Sequence, residues 1–220
     1  MKQLIVGIAL AAMAGPALAA RWQVEVTNVT PGQTFTPILA ATHYGGVALF
    51  ELGAPASEAL ATLAEAGDTA PLTAALEANS RVSSVQTVGG LLEPGQSVKF
   101  RVEGRPGQRL SLAAMLIPTN DTFVAIDGIF LPPFSHSTIQ ALAYDAGSEP
   151  NDQNCANIPG PRCGGQGGSP AADPGDEGFV HVSNGFHDLG SSDADGNEIL
   201  PPAHYDWNDP VAIVTIRRIH

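Results

Sequence analysis

The chain is dominated by short segments in which apolar and polar residues alternate, each bounded by turns that contain glycine or proline. Residues 97–103, Ser-Val-Lys-Phe-Arg-Val-Glu, show the clearest alternation, and residues 21–30 and 82–88 share it. The 24 Gly and 18 Pro among 220 residues supply the turns. A period of two places successive side chains on opposite faces of a strand. Roughly seven to nine such strands predict an all-β fold, an antiparallel β-sandwich.

One segment departs from this pattern and predicts a small helical insertion. Residues 57–66 are helix formers, with Ser57 as the N-cap and Gly67 as the stop. A second short helix follows through Pro71 and Leu76. Leu60, Leu63 and Ala64 share one face of the first helix, and this face is expected to lie on the sheet.

The N-terminus has the composition of a secretory signal peptide. Lys2 precedes an apolar run over residues 4–14, and Ala17-Leu18-Ala19 forms a cleavage motif. We therefore expect a signal peptide over residues 1–19, a single domain over residues 20–220, and a secreted or periplasmic protein. No later stretch approaches 18 apolar residues, so the mature chain is predicted to have no transmembrane segment.

The acidic charge of the chain argues against nucleic acid as a partner, and the lack of a nucleophile motif argues against catalysis. The 22 Asp and Glu outnumber the 10 Lys and Arg, giving a net charge of −12. A nucleic-acid-binding domain needs a basic surface to neutralise phosphates, so nucleic acid is not expected as a partner. The sequence has no Gly-x-Ser-x-Gly nucleophile motif, and we predict that the protein is not an enzyme.

Two cysteines, Cys155 and Cys163, flank a segment that contains Pro-Gly-Pro. In an oxidising compartment an even number of cysteines most simply forms a disulfide. A two-cysteine metal site is the alternative, although zinc sites usually have closer cysteines and a second ligand pair.

Acidic residues next to predicted strands suggest a cation site. Asp121 precedes the strand that begins at Thr122, and Asp127 lies six residues further on. Asp145 and Glu149 lie four residues apart across Gly147, which allows a bend that brings both side chains together. Ca²⁺ takes oxygen ligands of this kind. The alternative is that these are ordinary turn residues, because aspartate is common in turns.

The histidines suggest a different metal. His181 and His187 flank a turn at Gly185, and with His43 or His204 they would form a copper or zinc site in an exported protein. The alternative is that they are loop histidines that face solvent or make hydrogen bonds.

Three segments carry a resemblance to a known family: residues 111–128, the Tyr-Asp-Ala-Gly-Ser-Glu block at 144–149, and residues 210–219. Together they resemble the spondin N-terminal domain of F-spondin, mindin and secreted bacterial proteins. The resemblance implies an antiparallel, C2-like β-sandwich that binds Ca²⁺ through Asp121, Asp145 and Glu149. Asp127 is a further candidate ligand, at a position where family members do not always keep an acid.

The resemblance gives the functional hypothesis. The chain is expected to be a calcium-binding module for binding or adhesion at the cell envelope or matrix, with an unknown macromolecule as its partner. The sequence departs from animal members because Thr122 replaces a frequent aromatic residue, Glu149 replaces an aspartate, and their multiple cysteines are missing. Integrin or matrix binding is therefore not transferred. The alternative hypothesis is an exported copper or zinc protein that uses His181 and His187.

Overall fold

The structure is a computed structural model that describes residues 19–164 and 177–219. The predicted signal peptide lies outside these residues, except for Ala19. The strands and helices are β1 (Ala20–Asn28), β2 (Thr34–Phe35), β3 (Ile38–His43), α1 (Glu58–Ala66), α2 (Ala70–Glu77), β4 (Val82–Val88), β5 (Ser97–Gly104), β6 (Arg109–Ile117), β7 (Thr122–Phe130), β8 (His136–Asp145), β9 (His181–Val182), α3 (Pro202–Tyr205) and β10 (Ala212–Ile219).

The strands form one antiparallel sheet in the order β4-β3-β6-β7-β8-β10-β1-β5, while β2 pairs with β6 and β9 pairs with β8. The sheet folds over on itself, so that the two end strands, β4 and β5, come together. Side chains rather than a ladder join these two edges: Gln86 Nε2 donates to the Arg101 carbonyl at 2.8 Å. The prediction of an all-β, antiparallel sandwich with a helical insertion is confirmed.

The main core fills the space inside the folded sheet. Alternate residues of β1 point inward, and Trp22, Val24 and Val26 are fully buried there. Strand β10 contributes Val214 and Ile216 in the same way. Burial of these apolar side chains is the main favourable contribution to the free energy of folding.

A second core lies on the outer face of β3, β6 and β7, beneath the two helices. Leu60 and Leu63 of α1 pack there with Phe123 of β7. Strand β6 is therefore covered on both faces, which explains why its sequence is a nearly continuous apolar run. Helix α1 begins as predicted, with Ser57 Oγ accepting from the Leu60 amide, and Gly67 ends it in the left-handed conformation.

Three local features refine the predicted elements. Strands β2 and β3 are separated at Pro37, which has no amide proton to donate to a ladder. The acidic segment over residues 188–208 contains the short helix α3. Cys155 and Cys163 form the predicted disulfide.

The longest helix in the described ranges, α1, has nine residues, and no helix there is long and apolar enough to cross a membrane.

Candidate metal centre

The antiparallel pairing of β7 and β8 brings distant acidic residues to one end of the sandwich. Thr122, the first residue of β7, lies opposite Asp145, the last residue of β8. The Ala146 amide continues the ladder by donating to the Asp121 carbonyl at 3.2 Å. Because Asp121 and Asp145 directly adjoin this pair of strand ends, they are neighbours in space although 24 residues separate them in the sequence numbering.

The chain after β8 folds back over Asp121. Asp121 Oδ2 accepts hydrogen bonds from the backbone amides of Ser148 at 2.8 Å and Glu149 at 3.1 Å. The loop that follows Asp145 therefore wraps the carboxylate of Asp121, and it places Glu149 beside it. The structure thus brings together Asp121, Asp145 and Glu149.

All three acids are buried, with 0%, 1% and 0% of Asp121, Asp145 and Glu149 exposed. Burial raises the pKa of Asp121 well above its usual value, and the charge of Asp145 and, to a smaller extent, that of Glu149 raise it further. The pKa of Asp145 is also raised, mainly by burial. Clustered, desolvated carboxylates repel each other, and a cation among them removes that repulsion.

One oxygen of the cluster has no hydrogen bond from the described residues. Asp121 Oδ1 is buried and lacks a partner, whereas Oδ2 of the same carboxylate accepts two backbone amides. A buried acceptor without a partner is costly and rare in native proteins. Asp145 differs, because Gly147 N donates to its Oδ1 at 2.8 Å and Asn151 Nδ2 donates to its Oδ2 at 2.9 Å.

A second potential ligand set shares Asp145. Ligand atoms of Asp145, Glu177 and His181 lie within 4.8 Å of one another. His181 Nδ1 lies 2.8 Å from the Val182 carbonyl, which can only accept, so Nδ1 carries the proton. In the neutral ring Nε2 then keeps its lone pair, and Nε2 lies 3.6 Å from Asp145 Oδ1. This set has the carboxylate and imidazole ligands that suit zinc or copper.

Gly147 allows these two segments to approach each other. Its φ is +64°, and a Cβ at this position would lie 2.4 Å from the Phe179 carbonyl oxygen. The Gly178 amide donates to the Gly147 carbonyl at 2.9 Å. Glycine is therefore required both for the left-handed turn and for the contact between the loop after β8 and the segment that leads into β9.

Asp127 and His187, the other predicted ligands, lie apart from this centre. Asp127 follows Asp121 by six residues along β7, about 20 Å at the usual rise of a strand. Its Oδ1 accepts from Ser111 Oγ at 2.6 Å, and His43 Nε2 lies 2.8 Å from the same hydroxyl. His187 is exposed and does not join the ligand groups of the described residues.

The Spondin_N family model matches residues 26–151, which is more than half of the chain. The chain belongs to this family. The matched range includes Asp121, Asp145 and Glu149, and it ends before Glu177 and His181. No curated protein matches the chain. A spondin domain and a disulfide are compatible with an extracellular type of protein.

Sequence analysis did not identify Glu177 or Asn151 of this spondin domain. Asn151 Nδ2 bridges Asp145 and Glu177, at 2.9 Å from Asp145 Oδ2 and 3.0 Å from Glu177 Oε1. Asn151 lies two residues after Glu149, and its amide could have been recognised as a partner for a carboxylate. Glu177 has no such local signal, because its position depends on the pairing of β9 with β8.

Proposed function

We propose that this spondin domain binds one Ca²⁺ ion through Asp121, Asp145 and Glu149, and that it serves as an exported binding or adhesion module. The observation that carries the proposal is the buried Oδ1 of Asp121, an acceptor with no donor in the described part of the chain. Calcium prefers carboxylate oxygens, and its charge would offset the repulsion within the cluster. The resemblance of the sequence to calcium-binding spondin domains supports the same ligands.

The ion would have a structural role. Asp121 belongs to the connection between β6 and β7, whereas Asp145 and Glu149 belong to the end of β8 and the loop after it. An ion held by all three would join these two segments and fix the shape of this end of the sandwich. A fixed set of loops binds a partner at a lower entropic cost, as a recognition surface requires.

The proposed role is that of a binding module, not that of an enzyme. Ser111 and His43, which are buried, and Asp127, which is half-buried, do not have the order of a catalytic triad. Ser111 lies between His43 and Asp127, whereas a triad has the histidine in the middle. The partner would be a macromolecule of the cell envelope or extracellular matrix.

Isothermal titration calorimetry of the chelator-treated mature chain tests the calcium site. We expect one Ca²⁺ per chain, and we expect Asp121→Asn to weaken binding at least tenfold. Asp188→Asn is the matched control, because Asp188 is an exposed acid outside the cluster, and it should leave the affinity unchanged. Absence of calcium binding to the wild-type chain at millimolar concentrations would overturn the proposal.

A second function is favoured by the grouping of Asp145, Glu177 and His181 within 4.8 Å. With these ligands the chain would be an exported zinc or copper protein. His181→Ala should abolish binding of Zn²⁺ and leave binding of Ca²⁺ unchanged. Asp121→Asn should weaken binding of Ca²⁺ and leave binding of Zn²⁺ unchanged. Metal analysis of protein purified without added metal separates the two functions, because it shows which ion the chain retains.

A further inference from the structure

Positive charge is concentrated at the end of the sandwich opposite the candidate metal centre. Of the ten Lys and Arg in the sequence, Lys2 lies outside the described residues. Seven of the other nine lie at or near the positions where β1, β4 and β6 begin and where β5 and β10 end. We call this region the basic end, and its positive residues are Arg21, Arg81, Arg101, Arg105, Arg109, Arg217 and Arg218.

Strand register places several of these guanidinium groups in adjacent rows. Arg217 of β10 and Arg101 of β5 both lie opposite Gln23 of β1, and all three alternate with buried residues. His136 of β8 lies opposite Arg217 and extends the row. On the outer face of three neighbouring strands, Arg217 and Arg101 therefore flank Gln23, and Arg21 of the next row pairs with Glu103 at 3.8 Å. With seven arginines the basic end is positive, although the whole chain is acidic.

Two exposed phenylalanines stand beside these cations. Phe134 is 78% exposed and Phe130 is 58% exposed. Phe134 belongs to the connection between β7 and β8, which is held in place at two carbonyls. Trp22 Nε1 donates to the Pro132 carbonyl at 2.8 Å, and Arg218 Nη1 donates to the Pro133 carbonyl at 2.6 Å.

The ring of Phe130 contacts a positively charged side chain, that of Arg109. The guanidinium carbon of Arg109 lies 4.1 Å from the centre of the Phe130 ring, a cation–π contact. Arg109 Nη1 also donates to the Gly128 carbonyl at 2.9 Å, which fixes the side chain. The basic end therefore combines apolar rings with guanidinium groups, the two types of group that an anionic lipid interface accommodates.

We propose that the basic end docks on an anionic phospholipid surface. Phe134 enters the region between headgroups and acyl chains, and Arg217 and Arg101 contact the phosphates, which guanidinium groups bind through paired hydrogen bonds. The net charge of −12 opposes approach in other orientations, so the basic end is the part of the surface that faces the lipid. This surface is at the opposite end from the calcium site and does not depend on it.

The exposed ring of Phe134 distinguishes docking on a lipid surface from binding of a soluble anionic polymer. A polymer would be held by the arginines and would leave the exposed ring in water. A lipid surface gains from burial of the ring, because removing apolar area from water is favourable. Loss of Phe134 should therefore weaken binding to vesicles and leave binding to a polymer unchanged.

Vesicle co-sedimentation of the mature chain tests the proposal. Vesicles of phosphatidylcholine with phosphatidylglycerol are compared with phosphatidylcholine alone, each with calcium and with chelator. We expect binding to the anionic vesicles only, in both media, weakening as salt screens the charges. Phe134→Ser and Arg217→Glu should each weaken it about tenfold, and circular dichroism should show that both variants fold.

Leu189→Ser is the matched control, because Leu189 is also exposed but lies in the loop that follows β9. It should bind vesicles like the wild type. The proposal is overturned if anionic vesicles are not bound at low salt, or if Phe134→Ser binds them as well as the wild type does. Binding only in the presence of calcium would also overturn it and would leave the calcium site itself unaffected.

Discussion

The backbone amide of Glu149 donates to Oδ2 of Asp121 at 3.1 Å, across 28 residues of sequence. This bond connects the loop after β8 to the residue that precedes β7. It places a peptide dipole on one carboxylate oxygen, whereas the other oxygen is buried without a hydrogen bond from the described residues. The two backbone amides that donate to Oδ2 stabilise the buried acid, and an ion beside Oδ1 would stabilise it further.

Removal of calcium should lower the melting temperature. An ion present at about 100 times its dissociation constant stabilises the folded state by about 2.7 kcal/mol. For a domain of this size the loss corresponds to about 5–10 °C. Differential scanning fluorimetry with and without chelator measures the effect. Asp145→Asn should lower the melting temperature and remove the response to calcium, and a full calcium response in that variant would contradict the assignment.

Asp127→Asn should separate stability from calcium binding. Asp127 accepts from Ser111 Oγ and from the Leu49 amide, so an amide in its place disturbs this network and should destabilise the fold by about 1–3 kcal/mol. Its distance from the cluster means that the calcium affinity should be unchanged. Urea denaturation and calorimetry on the same sample test both statements, and a large loss of affinity would place Asp127 in the site.

Stability without calcium should depend on pH in an unusual direction. The pKa values of Asp121 and Asp145 are raised above the value of 3.8 that they have when unperturbed. Between 3.8 and the raised pKa values the folded state holds more protons than the unfolded state, so stability falls as pH rises through this window. Melting temperatures in chelator should therefore rise on mild acidification.

Asp121→Asn provides the comparison for this pH profile, because it removes a carboxylate whose pKa is raised well above its usual value. Its profile in chelator should be flatter than that of the wild type, and calcium should flatten the wild-type profile as well. Identical slopes for the variant and the wild type in chelator would show that other groups cause the dependence.

Gly147→Ala should destabilise the folded state more than Gly95→Ala does. Gly147 and Gly95 have φ values of +64° and +74°, but a Cβ at Gly95 meets nothing within 4 Å. Gly95→Ala should therefore cost only the left-handed backbone, about 1–2 kcal/mol. Gly147→Ala adds a clash with the Phe179 carbonyl and should cost clearly more in urea denaturation, with weakened calcium binding. Equal costs would contradict the close contact.

The disulfide should contribute to stability without contributing to metal binding. Cys155 and Cys163 are separated by 8 positions, and closing so short a loop is worth about 2–3 kcal/mol at most. The Cys155→Ser/Cys163→Ser double variant should lose no more than this in urea denaturation. Its calcium affinity should match that of the wild type, and loss of calcium binding would show that the loop supports the site.

The sequence predicted the elements whose signals are local. The ends of α1 follow from Ser57 and Gly67, and the bounds of β4 follow from an alternation that starts and stops at Val82 and Val88. Helix α3 has only four residues, too few for a periodic pattern. Elements that depend on sequence neighbours were therefore predictable, whereas α3, which lacks such a pattern, was not.

The candidate site was predictable only in part. The bend at Gly147 indicated that Asp145 and Glu149 converge, and the family resemblance added Asp121. Glu177 lies near Asp145 because the two-residue strand β9 pairs with β8. This pairing is a non-local contact, and no sequence pattern predicts it. Asp127 was predicted as a further ligand, but it lies six residues along β7 from Asp121 and therefore far from the cluster.

The register in which Thr122 faces Asp145 has a practical consequence. Slipping β7 past β8 by a single residue would turn the carboxylate of Asp145 to the opposite side of the sheet. Only molecules with correctly aligned strands would then take up the ion. The amount of calcium captured by a refolded preparation would therefore count its native molecules, an assay of refolding yield that can be run before any physiological ligand is identified.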